Sequence, residues 1–136
     1  MQQTECINLE QITGVLAEFA IALISNGANS ARTKRNLNRI ATAFDYKIEQ
    51  FFSHSAIILT VEEPKTNRKK TIVKSIAHYH VNYSIISEIS ILTWEVADGK
   101  IPFSKLEEEL KEITEMKSYP EWAKFVFIGL ATAGLS

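Results

Sequence analysis

Apolar residues recur at helical spacing near the start of the chain. Ile12, Val15, Leu16, Phe19, Leu23 and Ile24 line one side of a helix predicted over residues 7–25. Asn26-Gly27 stops it, because glycine accepts the left-handed conformation of a helix end. Asn29 or Ser30 caps a second helix to about Phe44, with Leu37, Ile40, Ala41 and Phe44 as its inner stripe. From Tyr46 the period changes: YKIEQFFS alternates, SAIILTVE is rich in β-branched residues, and KTIVKSIAH alternates again. The basic, proline-containing EPKTNRKK reads as the turn between the second and third strands. After Asn82 helical spacing returns with Ile85, Ile86, Ile89, Leu92 and Val96, and Asp98-Gly99 ends it. Pro102 then opens a helix whose inner stripe is Leu106, Leu110 and Ile113 and whose wet face is glutamate. The pattern predicts an α+β domain, a small three-stranded antiparallel sheet covered by helices in the order ααβββααα.

The last element of that order is unlike the others. Past Pro120, residues 122–136 (WAKFVFIGLATAGLS) carry no charge after Lys124, and Gly129, Ala131, Ala133 and Gly134 are spaced along the run. Small residues so placed suit close helix packing in a bilayer, although a full span needs about 20 apolar residues. Two readings follow, the start of a transmembrane helix or a buried C-terminal helix. On the first, residues 1–121 form a soluble cytosolic domain and 122–136 begin the first span. Lys111 and Lys117 before the run, and Lys124 at its start, favour retention on the cytoplasmic side.

Composition narrows the classes. In a chain of 136 residues, 46% hydrophobic and 23% charged with a net charge of −1, one ordinary core is expected and no general attraction to nucleic acid. The single cysteine, Cys6, excludes an intrachain disulfide. The N-terminal MQQTECINLEQ has neither a basic n-region nor an early apolar core, so no signal peptide is expected.

The second helix holds the densest chemical signal. Arg32, Lys34, Arg35 and Arg39 fall together without an acid among them, and Arg32, Arg35 and Arg39 are three and four apart, with Asn36 beside them. Such a cluster calls for compensation by carboxylates of the fold (Glu88 or Glu95), by an anionic ligand or by lipid headgroups. Guanidinium forks match carboxylates two bonds at a time, which suits a small carboxylate; a solvated basic face is the plainer alternative. His78 and His80 share a strand face and His54 lies on a nearby turn, but no further ligands complete a metal set. Ser87 and Ser90 suit helix packing better than acyl transfer, and no nucleophile elbow, phosphate loop or HExxH element is present. Neither a catalytic set nor a cofactor is expected. Arg68-Lys69-Lys70 is basic without an RNA-binding aromatic motif, and Trp94 and Trp122 read as core or membrane-interface anchors.

Taken in order, four segments resemble the N-terminal domain of the threonine/serine exporter family: GANSARTKRNLNRIATAFDYKIE, SAIILTV, HVNYSIISEISILTWEVADGKIPF and YPEWAKFVFIGLATAGLS. Arg32, Arg35, Asn36, Arg39, Asn82, Ser87, Ser90 and Trp94 stand at positions that match the family pattern. Two positions depart from it: Asp45-Tyr46 replaces a frequent glycine before the first strand, and Lys34 stands where many members carry an acid. The resemblance implies a bacterial inner-membrane secondary transporter that exports threonine, serine or similar small carboxylates, with this domain on the cytoplasmic side. Its partners would be the membrane portion of the same chain or a second, smaller membrane subunit, and a homo-oligomer stays open. Arg32, Arg35, Asn36, Arg39 and Asn82 are the candidate ligand or anion site on this view, with Ser87, Ser90 and Trp94 structural. The competing readings are a hydrolase-like domain fused to a transporter and an oligomerisation or partner-binding module.

Overall fold

A computed structural model describes residues 7–53, 55–76 and 81–117. Its elements in chain order are α1 (Leu9–Ser25), α2 (Ser30–Ala43), β1 (Lys47–Phe52), β2 (Ala56–Glu63), β3 (Arg68–Ser75), α3 (Tyr83–Ala97), a 3-10 turn (Phe103–Lys105) and α4 (Leu106–Lys117). The strands form an antiparallel sheet in the order β1-β2-β3. The order through these residues is ααβββαα. The expected last helix, with Pro120 and the apolar run 122–136, lies outside the described residues, as do Cys6, His54, His78 and His80. Among the described residues no helix is long and apolar enough to cross a membrane.

Among the described residues, asparagine starts three of the four α-helices. The Asn8 side chain accepts from the Gln11 backbone N–H (2.8 Å) while the Gln11 side chain accepts from the Asn8 N–H (3.1 Å), a reciprocal capping box. Asn29 caps α2 through the Arg32 N–H and Asn82 caps α3 through the Ile85 N–H. Gly27, at φ 104°, turns the chain from α1 into α2. Asn26 then accepts a hydrogen bond from the Asn82 N–H (3.0 Å), which ties the start of α3 to that same turn. Asp45 takes φ 65°, the left-handed region that glycine reaches without cost. Pro102 departs from expectation: it precedes the 3-10 turn rather than opening α4, whose first α-helical residue is Leu106.

The core runs from one face of the sheet across α1 and on between the helices, where Leu37 and Ile40 of α2, Ile86 and Ile89 of α3 and Leu106 of α4 are fully buried. Ile12, Leu16, Phe19 and Leu23 of α1 are fully buried, as are Ile57, Leu59 and Val61 on alternate positions of β2. Register sets three inner rows across the strands, Ile48–Val61–Lys70, Gln50–Leu59–Ile72 and Phe52–Ile57–Lys74. Two inner positions of the edge strand β3 are therefore lysines. They extend over the rim of α1: the Lys70 ammonium lies 4.0 Å from Glu10, and Lys74 acts electrostatically on Glu18. Inward-facing charge of this kind also makes an edge a poor template for further strands. On the outer face Phe51, Ile58 and Val73 align in one row, and Phe51 and Val73 are exposed. α2 packs against α1, β1 and α3, and α3 packs against α2, α1 and α4. Phe44, at the end of α2, meets Phe103 edge to face at 5.5 Å and links that end to the 3-10 turn.

Glu18 titrates above its ordinary value of 4.5, first through loss of solvation and then through the neighbouring Glu107 carboxylate on α4, with Lys74 opposing. A carboxyl whose folded value is raised adds stability below its ordinary pKa. That contribution is lost as pH rises through the folded value. Glu18→Gln is expected to raise stability near neutral pH by less than about 1 kcal/mol, with the gain vanishing below about pH 4.5. Thermal melts of the two proteins across that range check it; a gain that grows towards acid pH contradicts the carboxyl contact.

Candidate functional site

The arginines of α2 meet α3 along a seam whose centre is a buried amide. Asn36 is 2% exposed and Thr93 is fully buried, so their polar atoms need partners within the protein. The Asn36 amide nitrogen donates to the Arg32 carbonyl one turn back (2.9 Å). The Arg39 Nη1 donates to Asn36 Oδ1 (3.0 Å) and to Thr93 Oγ1 (2.8 Å), one hydrogen for each acceptor. The Thr93 hydroxyl lies 2.8 Å from both Asn36 Oδ1 and the Ser90 carbonyl and has one proton to give to one of them. Arg32 Nη2 reaches Ser90 Oγ at 3.5 Å, a long contact. The Arg39 guanidinium carbon stands 3.8 Å from the centroid of the Trp94 ring, a cation–π stack.

The groups that hold Arg39 here (Asn36, Thr93 and the Trp94 ring) are all neutral. Its pKa is lowered, first by burial and then by the positive charge of Arg35. An arginine stays charged at any physiological pH even so. The seam thus fixes a positive charge in place and leaves it uncompensated by these contacts.

Of the five residues selected from sequence, the fold brings together Arg32, Asn36 and Arg39. Arg35 is exposed beside them. Asn82 is used elsewhere: it is the cap of α3, about two turns before Ser90, or roughly 12 Å along the helix. Ser90 belongs to the seam through Arg32, whereas Ser87 is exposed. Thr93 was not singled out from sequence, and its only sequence signal is a polar residue at an inner position of an apolar helix. Trp94 is 56% exposed, which excludes the core reading of this residue and leaves it a surface position.

The described concave features lie apart from the seam. An open groove of about 800 Å³ between α1 and α4 is lined by Glu18, Ile21, Ala22, Glu107, Leu110 and Lys111 among others, and none of the five candidate residues lines it. Among the described residues no group of three or more His, Cys, Asp or Glu side chains is placed to hold a metal.

Thr93→Val keeps the shape of the side chain and removes the hydroxyl that Arg39 donates to, so it is expected to cost about 1–3 kcal/mol. Arg35→Ala is expected to fall within about 0.5 kcal/mol of the parent. Urea unfolding followed by circular dichroism compares the two, and equal costs would mean that the seam does not hold α2 to α3.

A family model described as "Putative threonine/serine exporter" (ThrE) matches residues 14–136. No curated protein and no solved structure matches the chain.

Proposed function

The chain belongs to the threonine/serine exporter family, and from that premise we propose that it is the cytoplasmic N-terminal domain of a bacterial inner-membrane secondary transporter. The transported molecules are threonine, serine or similar small carboxylates. The observation that carries this reading is the family match, which extends from α1 through the apolar run 122–136. On this reading residues 1–121 stay in the cytosol and 122–136 begin the first membrane span. The membrane portion, in the same chain or in a second, smaller subunit, carries the substrate across the bilayer. The domain is a recognition or docking element rather than an enzyme.

Within the domain, the arginine seam is the anion-recognition or docking face. Arg32 and Arg39 are held at its rim by Ser90, Asn36, Thr93 and Trp94, and Arg35 extends beside them. Positioned guanidiniums lose little freedom on meeting a carboxylate or phosphate, which is what a preorganised anion site needs. Asn82 serves this face indirectly, by fixing the start of the helix that carries Ser90, Thr93 and Trp94.

Titration of the chain with threonine, serine and small dicarboxylates, followed by backbone amide NMR, tests the recognition half of the proposal. Saturable shifts confined to Arg32–Arg39 and Ser90–Trp94 are expected at concentrations up to about tens of millimolar, the weak range of one exposed charge-assisted contact. An α2 whose amides do not move over that range removes small-carboxylate recognition and leaves docking.

A further inference from the structure

Three residues on the outer side of α3 break the rule that large apolar side chains turn inwards. Tyr83 is 69% exposed, Ile91 59% and Trp94 56%. With the exposed Ser87 between them they are spaced four, four and three apart, which places them on one stripe about 16 Å long. Val81, 69% exposed, extends the stripe past the helix start. The stripe is flanked on the α2 side by Arg32, Arg35 and Arg39, and the Arg39 guanidinium lies on the Trp94 ring itself. Apolar stripe and cationic rim are therefore one continuous surface.

We propose that this α2–α3 face lies against the headgroup layer of an anionic lipid leaflet, with Trp94, Ile91 and Tyr83 at the level of the glycerol and acyl boundary and the arginines on lipid phosphates. This rests on the reading that the domain works beside the inner membrane, and it names the anion its arginines meet. Tryptophan and tyrosine are the side chains that favour the membrane interface, since their rings are part apolar and part hydrogen-bonding. Basic residues near an anionic leaflet add about 1 kcal/mol each before salt screening. A cation already seated on the Trp94 ring lets the indole approach the interface with its charge beside it. The neutral partners of Arg39 matter here, because a carboxylate in their place would cancel the attraction.

The acids of α3 set the tilt of the contact. By helical angle Glu88 and Glu95 lie on the flank of α3 away from α2, and Asp98 follows Trp94 at the C-terminal end, with Lys100 two residues on. Contact with an anionic leaflet is therefore strongest on the α2 side and falls off across the stripe. A second copy of the chain is a poorer occupant: a two-fold pairing of this face would bring the arginines of both copies together. An acidic protein helix would satisfy the rim and could also use the aromatic stripe, and lipid quenching of Trp94 separates that occupant from a leaflet.

The chain carries two tryptophans, Trp94 and Trp122. Trp122→Phe leaves Trp94 as the sole emitter, so its position can be read separately from any insertion of residues 122–136. The protein is mixed with vesicles of brominated phosphatidylcholine, with or without phosphatidylglycerol, and Trp94 emission is recorded. An about twofold or greater loss of emission is expected with phosphatidylglycerol and much less without it. Arg35→Glu, a change at an exposed position outside the seam's hydrogen bonds, is expected to restore most of the emission, as is 0.5 M salt at about a 4–5 Å screening length. Equal quenching in both vesicle types and in Arg35→Glu overturns the electrostatic docking. A Trp94 unquenched by lipid also overturns it; shielding from acrylamide then assigns the face to a second copy, if it grows with protein concentration, or to a protein partner, if it needs the membrane portion. Flotation of the same samples separates this proposal from the one it rests on. A chain that floats with Trp94 unquenched loses only the docking face, whereas a chain that does not float with either vesicle type loses the membrane reading too.

Discussion

Three strands cannot bury a face by themselves, and in this protein everything depends on how α1 solves that problem. It lies across β2 and β3 with Ile12, Leu16, Phe19 and Leu23 sealed against Ile57, Leu59 and Val61. Burial of a side chain of this size contributes about 1.5–3 kcal/mol relative to exposure, so these seven positions dominate the apolar stabilisation of the sheet. Because α1 is committed to the sheet, α2 is left to pack at its side and α3 to pack on α2. The arginine seam runs along the outer edge of that α2–α3 junction, beside the core residues Leu37, Ile40, Ile86 and Ile89, with Asn36 and Thr93 as its buried polar residues.

The junction is held at both ends by local chemistry. At the N-terminal ends of α2 and α3, Gly27 turns the chain and the Asn82 N–H bonds to the Asn26 carbonyl. Further along, Asn36 and Thr93 take up the polar contact between the helices. Buried amides and hydroxyls are costly to leave unpaired, so one arrangement of the two helices is favoured over slid or rotated alternatives. The same arrangement determines which arginines are positioned and which is free to extend outwards. The chain belongs to the threonine/serine exporter family, but the geometry of this region follows from the pairing of α2 with α3 alone.

Much of the architecture was legible in the residues. Periodicity identified each described helix and strand, and of the two caps read for α2, Asn29 and Ser30, the structure uses Asn29. The Pro102 boundary was misread because proline suits the lead-in to a 3-10 turn as well as the first turn of an α-helix. The seam was half legible. Spacing placed Arg32, Asn36 and Arg39 at neighbouring angles on α2, but not their partners, which lie 54–58 residues away in sequence. Trp94 illustrates the limit: its angle on α3 is opposite the buried Ile89 and Leu92, yet its apolar character alone had suggested the core as one of its two places. Asn82 was grouped with the arginines by resemblance, while its structural work is at a helix start.

The neutral partners of Arg39 have a further consequence for how the molecule responds to ionic strength. An arginine held by carboxylates loses part of its hold when salt screens the pair, and the helices it joins loosen with it. Hydrogen bonds to an amide and a hydroxyl, and contact with an indole face, depend far less on dissolved ions. In this protein the joint between α2 and α3 and the electric field that extends from it are therefore separable. Salt can switch off the long-range pull of the face on distant anions while the scaffold that shapes it stays as it is.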